Sequence, residues 1–138
     1  TNAILFNHDS KLRNKKFIIP QVINALFKKN YSFLKKIINE NITADFSHAE
    51  DICVAIKKII SKKINLDTII LSSNKLVPLN KIIEHVIKKN KINIKFQFKK
   101  KKLKGLIGDN KLAKKKLNWK PKLNIFKAAD EIYQLYNK

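Results

Sequence analysis

The spacing of apolar residues along this chain changes repeatedly between that of strands and that of helices. Residues 2–6 form an apolar run that predicts a buried strand, and residues 67–72 predict a second one. Residues 92–98 alternate strictly between apolar and polar side chains, which is typical of a half-buried strand. Helical patterns separate these runs. Because strands alternate with helices, the sequence predicts an α/β fold.

Amphipathic helices are predicted where apolar residues recur at intervals of three and four. The first includes Pro20 in its opening turn and ends near Asn30, and the second follows a capping box at residues 47–50. The third has the most regular apolar face, and two shorter helices are expected at residues 109–117 and 124–136. That regular face comprises Leu79, Ile82, Ile83, Val86 and Ile87. Residues 31–46 alternate weakly and predict short extended pieces with a turn at 39–41.

The first strand is followed by four small polar residues, 7–10, with the sequence NHDS. Such a run fits a loop at the carboxyl end of a parallel strand, where open α/β sheets bind ligands. Asn7 offers an amide, His8 a ring nitrogen, and Arg13 a planar guanidinium suited to phosphate. The alternative from spacing alone is a solvated turn.

The charge of the chain is strongly positive. Its 138 residues are enough for one domain, and its formal net charge is +21. Such a charge fits nucleic acid, an anionic membrane surface or a phosphorylated ligand. Arg13 is the only arginine, however, whereas base recognition normally uses arginine. A basic nucleic-acid-binding module without enzymatic activity, supported by the lysine run at residues 99–104, remains the alternative function. No binding to a specific nucleic acid or to a membrane is expected.

Other candidate residues favour structural roles. Cys53 is alone, which favours a reducing, cytoplasmic location, and we expect it in the core. The three histidines lack metal-type spacing, so no metal site is predicted. We expect His85 to be solvated and Trp119 to form a packing corner. Local capping and turn hydrogen bonds would account for the acidic residues Asp45, Glu50 and Asp51.

Three segments resemble motifs of one enzyme family. Residues 5–10 (LFNHDS) resemble the LFNHES segment of GDP-mannose 4,6-dehydratases, which are extended short-chain dehydrogenase/reductases. Residues 45–51 (DFSHAED) are similar to the family's RDWGHAKDY, and residues 108–121 are similar to GDPTKA…LGWKP. The motifs occur in family order over nearly the whole chain, but they belong only to the family's C-terminal part.

This resemblance implies a fold and a reaction. Residues 2–6 and 67–72 would form the edge of a Rossmann-like sheet, and the rest a small substrate-binding domain. Residues 1–138 would be a single C-terminal nucleotide-sugar-binding fragment without the dinucleotide-binding part. The complete enzyme would be an NADP-dependent lyase that converts GDP-mannose to GDP-4-keto-6-deoxymannose, or a related epimerase or reductase. Homo-oligomerisation of that enzyme is left open.

The resemblance also implies roles for individual residues. The family's catalytic Tyr and Lys lie upstream of its LFNHES segment, so no catalytic residue is assigned here and the chain alone should be inactive. The NADP contacts would be His8 and Arg13. The substrate contacts would be Asn7, Ile18, Gln21 and Lys99. One departure from the motif is Ala44, which occupies the position of a diphosphate-binding arginine.

Overall fold

The computed structural model describes residues 1–98 and 102–136, which form five strands and six helices. The strands are β1 (Asn2–Leu5), β2 (Asn7–Asp9), β3 (Thr43–His48), β4 (Thr68–Leu71) and β5 (Leu76–Pro78). The helices are α1 (Ile18–Phe27), α2 (Tyr31–Glu40), α3 (Ala49–Ser61), α4 (Leu79–Lys89), α5 (Lys111–Leu117) and α6 (Ile125–Gln134). The α/β prediction is therefore confirmed.

The strands form two small sheets. In the first, β1 pairs in parallel with β4, and Leu5 lies opposite Leu71. The second has the order β2-β3-β5, with β2 parallel and β5 antiparallel to β3. The prediction of a polar loop after the first strand is wrong, because residues 7–9 form β2. Their partners are residues 46–48 of β3, a pairing that no local pattern reveals.

The prediction that the first strand is buried is also wrong. All four residues of β1 are exposed, including Ile4 at 49% and Leu5 at 40%. The neighbouring Ile69 and Leu71 of β4 are buried in an apolar cluster with residues of α3 and α5 and with Trp119. These helices pack against β4, and the apolar cluster that they form with it includes no residue of β1.

The larger apolar cluster lies among the other helices. It joins buried residues of α1, α2, α4 and α6 to Phe46 of β3. The predicted face of α4 is confirmed, because Leu79, Ile82, Ile83 and Val86 are buried and Ile87 packs against the cluster while partly buried. The second sheet therefore packs against the helices through Phe46 of β3.

Residues 31–40 differ from the expected extended pieces, whereas residues 43–46 of the same range lie in β3, as predicted. Residues 31–40 are helix α2, which the Asn30 side chain begins by accepting a hydrogen bond from the backbone nitrogen of Phe33 at 3.2 Å. Asn41 ends the helix in the left-handed conformation, with φ of 52°. The apolar side chains of α2 face the larger cluster, so tertiary packing decided between two weak local preferences.

The expected capping box at residues 47–50 is not formed. Ser47 belongs to β3, and the residue before α3 is His48, whose Nδ1 accepts a hydrogen bond from the backbone nitrogen of Glu50 at 3.2 Å. Cys53 is exposed on α3 rather than buried. The helical face that α3 presents to β4 is formed by other residues, including Ile52 and Ala55.

The remaining sequence predictions were mixed. Residues 92–98 show the expected alternation, since their apolar side chains are partly buried and their polar ones exposed, but no ladder joins them to a strand in the described residues. Asn124 caps α6 by accepting from the backbone nitrogen of Lys127, as predicted. Trp119 is buried at a packing corner, as expected.

None of the helices described is long and apolar enough to cross a bilayer.

Candidate functional site

A pocket of about 330 Å³ lies where the chain leaves β1. Asn7 lines it from the start of β2, Ala44 from β3, and Leu106 from the segment that precedes α5. The Asn7 amide nitrogen lies 3.5 Å from the main-chain oxygen of Asp45, which it can donate to. The structure therefore brings Asn7 together with Ala44, the position of the missing arginine, at the carboxyl end of β1.

Asp45 is the centre of a buried polar network beside this pocket. Its side chain is fully buried, and one carboxylate oxygen accepts hydrogen bonds from the backbone nitrogen and the hydroxyl of Ser73 at 2.9 and 2.5 Å. The other oxygen accepts from the backbone nitrogens of Asn74 and Gly108 at 3.0 and 3.1 Å. One carboxylate therefore fastens two distant segments to β3, and its burial is balanced by four donors.

Residues 105–108 run close to β3 and form one wall of the pocket. A side chain at Gly108 would overlap that of Ser72 and come within 2.9 Å of the Phe6 ring, so only glycine fits there. The Ser72 hydroxyl donates to the main-chain oxygen of Gly108 at 2.8 Å, and the Asn110 amide donates to the main-chain oxygen of Ser72 at 2.8 Å. These contacts hold the wall against the ends of β1 and β4.

Sequence reasoning did not find this network. The expectation of local turn bonds is wrong for Asp45, whose partners lie 28 to 63 positions away. It is also wrong for Asp51, whose carboxylate accepts from the backbone nitrogens of Lys122 and Leu123 at 2.9 and 2.7 Å. The available signal was the presence of Asp45 and Gly108 within two of the three family-like motifs.

His8 and Arg13 lie on β2 and on the turn that follows it. His8 Nδ1 lies 2.8 Å from the main-chain oxygen of Phe6, so that nitrogen donates and Nε2 is the acceptor in the neutral ring. The Arg13 guanidinium lies over the Phe17 ring, 3.4 Å from its centroid. Its Nε is buried without a hydrogen-bond partner, 3.6 Å from an Asp9 oxygen that also lacks one. Arg13 therefore faces the Asp9 carboxylate as an ion pair, without a hydrogen bond between them.

Asp9 is a buried acidic residue beside Arg13 and His8. Its carboxylate is 4% exposed, and burial raises its pKa above the usual 3.8, although the nearby charges of Arg13 and His8 act in the opposite direction. An acid with a raised pKa binds a proton more readily.

The remaining predicted contacts do not meet in this pocket. Ile18 opens α1 and packs, partly buried, against the larger apolar cluster. The Gln21 amide donates to the main-chain oxygen of Lys16 at 2.7 Å, and its side chain lines a different pocket of about 370 Å³. Lys99 lies outside the described residues, so its expected contact with the substrate stays a prediction.

Two histidine–carboxylate pairs hold α6 and lie apart from the pocket lining. The buried His48 places Nε2 at 3.3 Å from Glu131. His85 is half-buried rather than solvated, because Nε2 lies 2.9 Å from Asp130, which also pairs with Lys89. Within the described residues no group of histidine, cysteine or acidic side chains could hold a metal ion.

A larger pocket, of about 810 Å³, lies between α3 and α5. It contains none of the cofactor or substrate contacts proposed from the sequence, and several of its polar groups already form hydrogen bonds within the chain. Lys58 donates to the main-chain oxygen of Asn118 at 2.6 Å, and the Trp119 indole donates to the main-chain oxygen of Asp51 at 3.0 Å. The smaller pocket at Asn7 is therefore the better candidate site.

Comparison with known proteins agrees with the motifs. The family model described as GDP-mannose 4,6 dehydratase matches residues 1–132. Among curated proteins, none was found to match.

Several solved structures share the fold. RMD from Pseudomonas aeruginosa, complexed with NADPH, has a TM-score of 0.77 and 14% identity, with 97% of this chain and 46% of that chain covered. For dTDP-glucose 4,6-dehydratase from Bacillus anthracis str. Ames, complexed with NAD, the TM-score is 0.76 and the identity is 15%, with 98% of this chain and 43% of that chain covered. For UDP-glucuronic acid 4-epimerase from Bacillus cereus, complexed with UDP-glucuronic acid and NAD, the TM-score is 0.77 and the identity is 14%, with 98% of this chain and 44% of that chain covered. The chain thus spans less than half the length of these structures.

Proposed function

Because the chain belongs to the GDP-mannose 4,6-dehydratase family, we propose that it is the nucleotide-sugar-binding part of an NADP-dependent enzyme that converts GDP-mannose to GDP-4-keto-6-deoxymannose. The observation that carries this proposal is the pocket at the carboxyl end of β1, where Asn7 and Ala44 lie together. Ligands of open α/β sheets bind at this end of the strands. The exposed Cys53 is unpaired, and we place the enzyme in the cytoplasm, where thiols stay reduced.

The pocket would hold the nucleotide sugar mainly through Asn7. The Asn7 amide can donate to a diphosphate or sugar oxygen in place of its long contact with Asp45. Lys102 and Lys104 are exposed on the segment that leads to Leu106 and line a separate pocket of about 400 Å³, and their charges would attract an anionic ligand over a longer distance. The Asp45 network keeps that wall in position, which preorganises the site before the ligand arrives.

His8 and Arg13 would hold the cofactor. The Arg13 guanidinium can bind a phosphate, and His8 Nε2 can accept a hydrogen bond from a hydroxyl group. NADP held there would supply the reversible hydride transfer that the proposed reaction needs.

Direct titration tests the proposed substrate. GDP-mannose and UDP-glucose should be added to the purified chain in a calorimeter, with Asn7→Ala and Ala44→Arg as variants. We expect GDP-mannose to bind more tightly than UDP-glucose and Asn7→Ala to weaken it. Ala44→Arg should strengthen it by about 1.5–3 kcal/mol, as a hydrogen bond to a charged group does.

The matched control for the added charge is Ile60→Arg. Ile60 is 71% exposed on α3 and does not line the pocket, so this variant raises the net charge equally without a guanidinium at the site. If Ile60→Arg strengthens binding as much as Ala44→Arg, the effect is only long-range attraction. Tighter binding of UDP-glucose than of GDP-mannose would contradict the proposed substrate.

A further inference from the structure

The larger pocket, between α3 and α5, has an excess of positive charge. Its charged lining residues are Lys58, Lys114, Lys120, Lys122, Glu50 and Asp51. The Asp51 carboxylate already accepts hydrogen bonds from the backbone nitrogens of Lys122 and Leu123. Lys114, Lys120 and Lys122 are exposed, and none of them forms an ion pair in the part of the chain that the structure describes. Their ammonium groups are therefore available to an anionic ligand.

Lys58 adds a positive charge whose position is fixed by the fold. Its ammonium group donates to the main-chain oxygens of Leu117 and Asn118, at 3.3 and 2.6 Å, where α5 ends. A lysine ammonium has three donors, so one N–H remains for a ligand. Because Lys58 is already held in place, it would lose little side-chain freedom when a ligand binds.

The rest of the lining is partly apolar, and hydrogen bonds hold it against α3. Val54 is 42% exposed on α3 and lines the pocket together with Leu123 and Trp119. The Trp119 indole donates to the main-chain oxygen of Asp51 at 3.0 Å, which joins the segment after α5 to the start of α3. Low-dielectric walls beside charges of one sign focus the electric field in a cleft. The pocket therefore combines a fixed shape with a concentrated positive potential.

We propose that this pocket binds a small polyphosphate anion, with two or more adjacent phosphoryl groups. Lysines from α3, α5 and the segment after α5 approach the cavity from different sides, which suits a ligand with charge along its length. The cavity volume, about 810 Å³, lies within the range of small-molecule sites. None of the described residues that line the pocket at Asn7 is charged. The inference thus concerns a second site, goes beyond the proposed function and does not rest on it.

The phosphates of a nucleic-acid strand have the same chemistry, but the pocket fits them less well. Single strands bind in extended basic grooves with aromatic side chains on which the bases stack. Trp119 is 4% exposed, so its ring offers no face for stacking. A free polyphosphate is therefore the ligand that we assign, and an oligonucleotide serves as the comparison in the experiment.

The fluorescence of Trp119 gives a direct test. Trp119 is the only tryptophan of the chain and lines this pocket, so its emission reports on this site. The purified chain should be titrated with inorganic triphosphate in about 150 mM salt, where exposed charges more than about 8 Å apart are largely screened. We expect a saturable change in the emission, and calorimetry should give the same Kd with one triphosphate bound per chain.

Two double variants separate the pocket from the general charge of the chain. Lys114→Gln with Lys120→Gln removes two lining charges and should weaken triphosphate binding about tenfold, as the loss of two partly exposed ion pairs does. Lys115→Gln with Lys116→Gln is the matched control, since both residues are exposed on α5 outside the lining. It should weaken binding less than about twofold, because distant charges are screened. All four positions are exposed, so the Tm should stay the same in both variants.

Three results would overturn the proposal. One is equal weakening by the two double variants, which would mean that triphosphate responds only to the overall charge. Another is the absence of any saturable change in Trp119 emission on adding triphosphate, whether or not calorimetry detects binding elsewhere. The third is a single-stranded oligothymidylate that changes the emission at a lower concentration than triphosphate does, which would assign the pocket to a nucleic-acid strand.

Discussion

Helix α4 and strand β1 are both rich in apolar side chains, but their surroundings differ. Ile83 of α4 is fully buried in the larger apolar cluster, whereas Ile4 of β1 is 49% exposed. Helix α4 is buried by other helices of this chain, since α1 and α6 pack against it. Among the strands described, only β4 pairs with β1. An apolar pattern therefore records a tendency to be buried, and the neighbouring elements determine whether that burial occurs.

Polar contacts also hold the carboxyl end of the β1–β4 sheet. The Asp45 carboxylate joins β3 to the turn after β4 and to Gly108, close to the Phe6 ring. Such a network adds specificity because each donor has a defined direction. The helical cluster, in contrast, is stabilised by non-directional apolar burial. The following predictions test this division of roles.

The largest effect is expected where apolar cover is complete. Ile83→Ala should lower the free energy of unfolding by about 2–5 kcal/mol, because it removes buried methyl groups and leaves a cavity. Ile4→Ala is the matched control and should cost about 0.5 kcal/mol or less, as exposed substitutions usually do. Urea unfolding measures both. Equal losses for the two variants would mean that α4 and β1 do not differ in cover.

A smaller effect is expected from the polar network. Asp45→Asn should cost about 1–3 kcal/mol, because an amide group replaces one acceptor oxygen and faces a buried donor. Asp67→Asn removes the same charge from an exposed carboxylate and controls for the change in net charge. Thermal unfolding of both variants gives the comparison. A loss for Asp45→Asn no greater than that for Asp67→Asn would show that the network does not stabilise the end of the sheet.

The smallest effect concerns the pH dependence of stability at β2. Because burial raises the folded-state pKa of Asp9 above 3.8, the unfolded chain loses this proton first as the pH increases. The contribution of Asp9 to stability should therefore be greatest in acid and should fall as the pH rises through 3.8 and then through the folded-state pKa.

Asp9→Asn should remove that decline. The difference in unfolding free energy between the wild type and the variant should be measured from about pH 3 to 6, where the other acidic groups are common to both proteins. A difference that stays constant over this range, or changes in favour of the wild type as pH rises, would contradict the raised pKa.

The sequence was most informative where a local pattern of residues favoured a single structure. The face of α4, the capping Asn124 and the buried Trp119 were predicted because local spacing, hydrogen-bonding capacity and size each favoured the observed structure. The three motifs identified the family, and the model match over residues 1–132 agrees. Asn7 was likewise singled out from the sequence, and it lies at a pocket at the end of β1.

The sequence was least informative where a residue acts through distant partners. Residues 31–40 had weak preferences until packing against other helices selected the helix α2. Residues 7–9 became a strand because β3 supplied main-chain partners 39 positions away, as the pairing of Asn7 with Phe46 shows. Asp45 gained its role from donors that only the folded chain assembles.

The sequence alone thus determined the α/β class, the principal helical faces and the family, because these depend on local periodicity and on short motifs. Only the tertiary structure decided that β1 is exposed while β4 is buried, that Asp45 unites three segments, and that the Arg13 Nε is buried without a hydrogen bond. The physical reason is that burial and hydrogen-bond satisfaction are properties of neighbours, and the neighbours here come from remote parts of the chain.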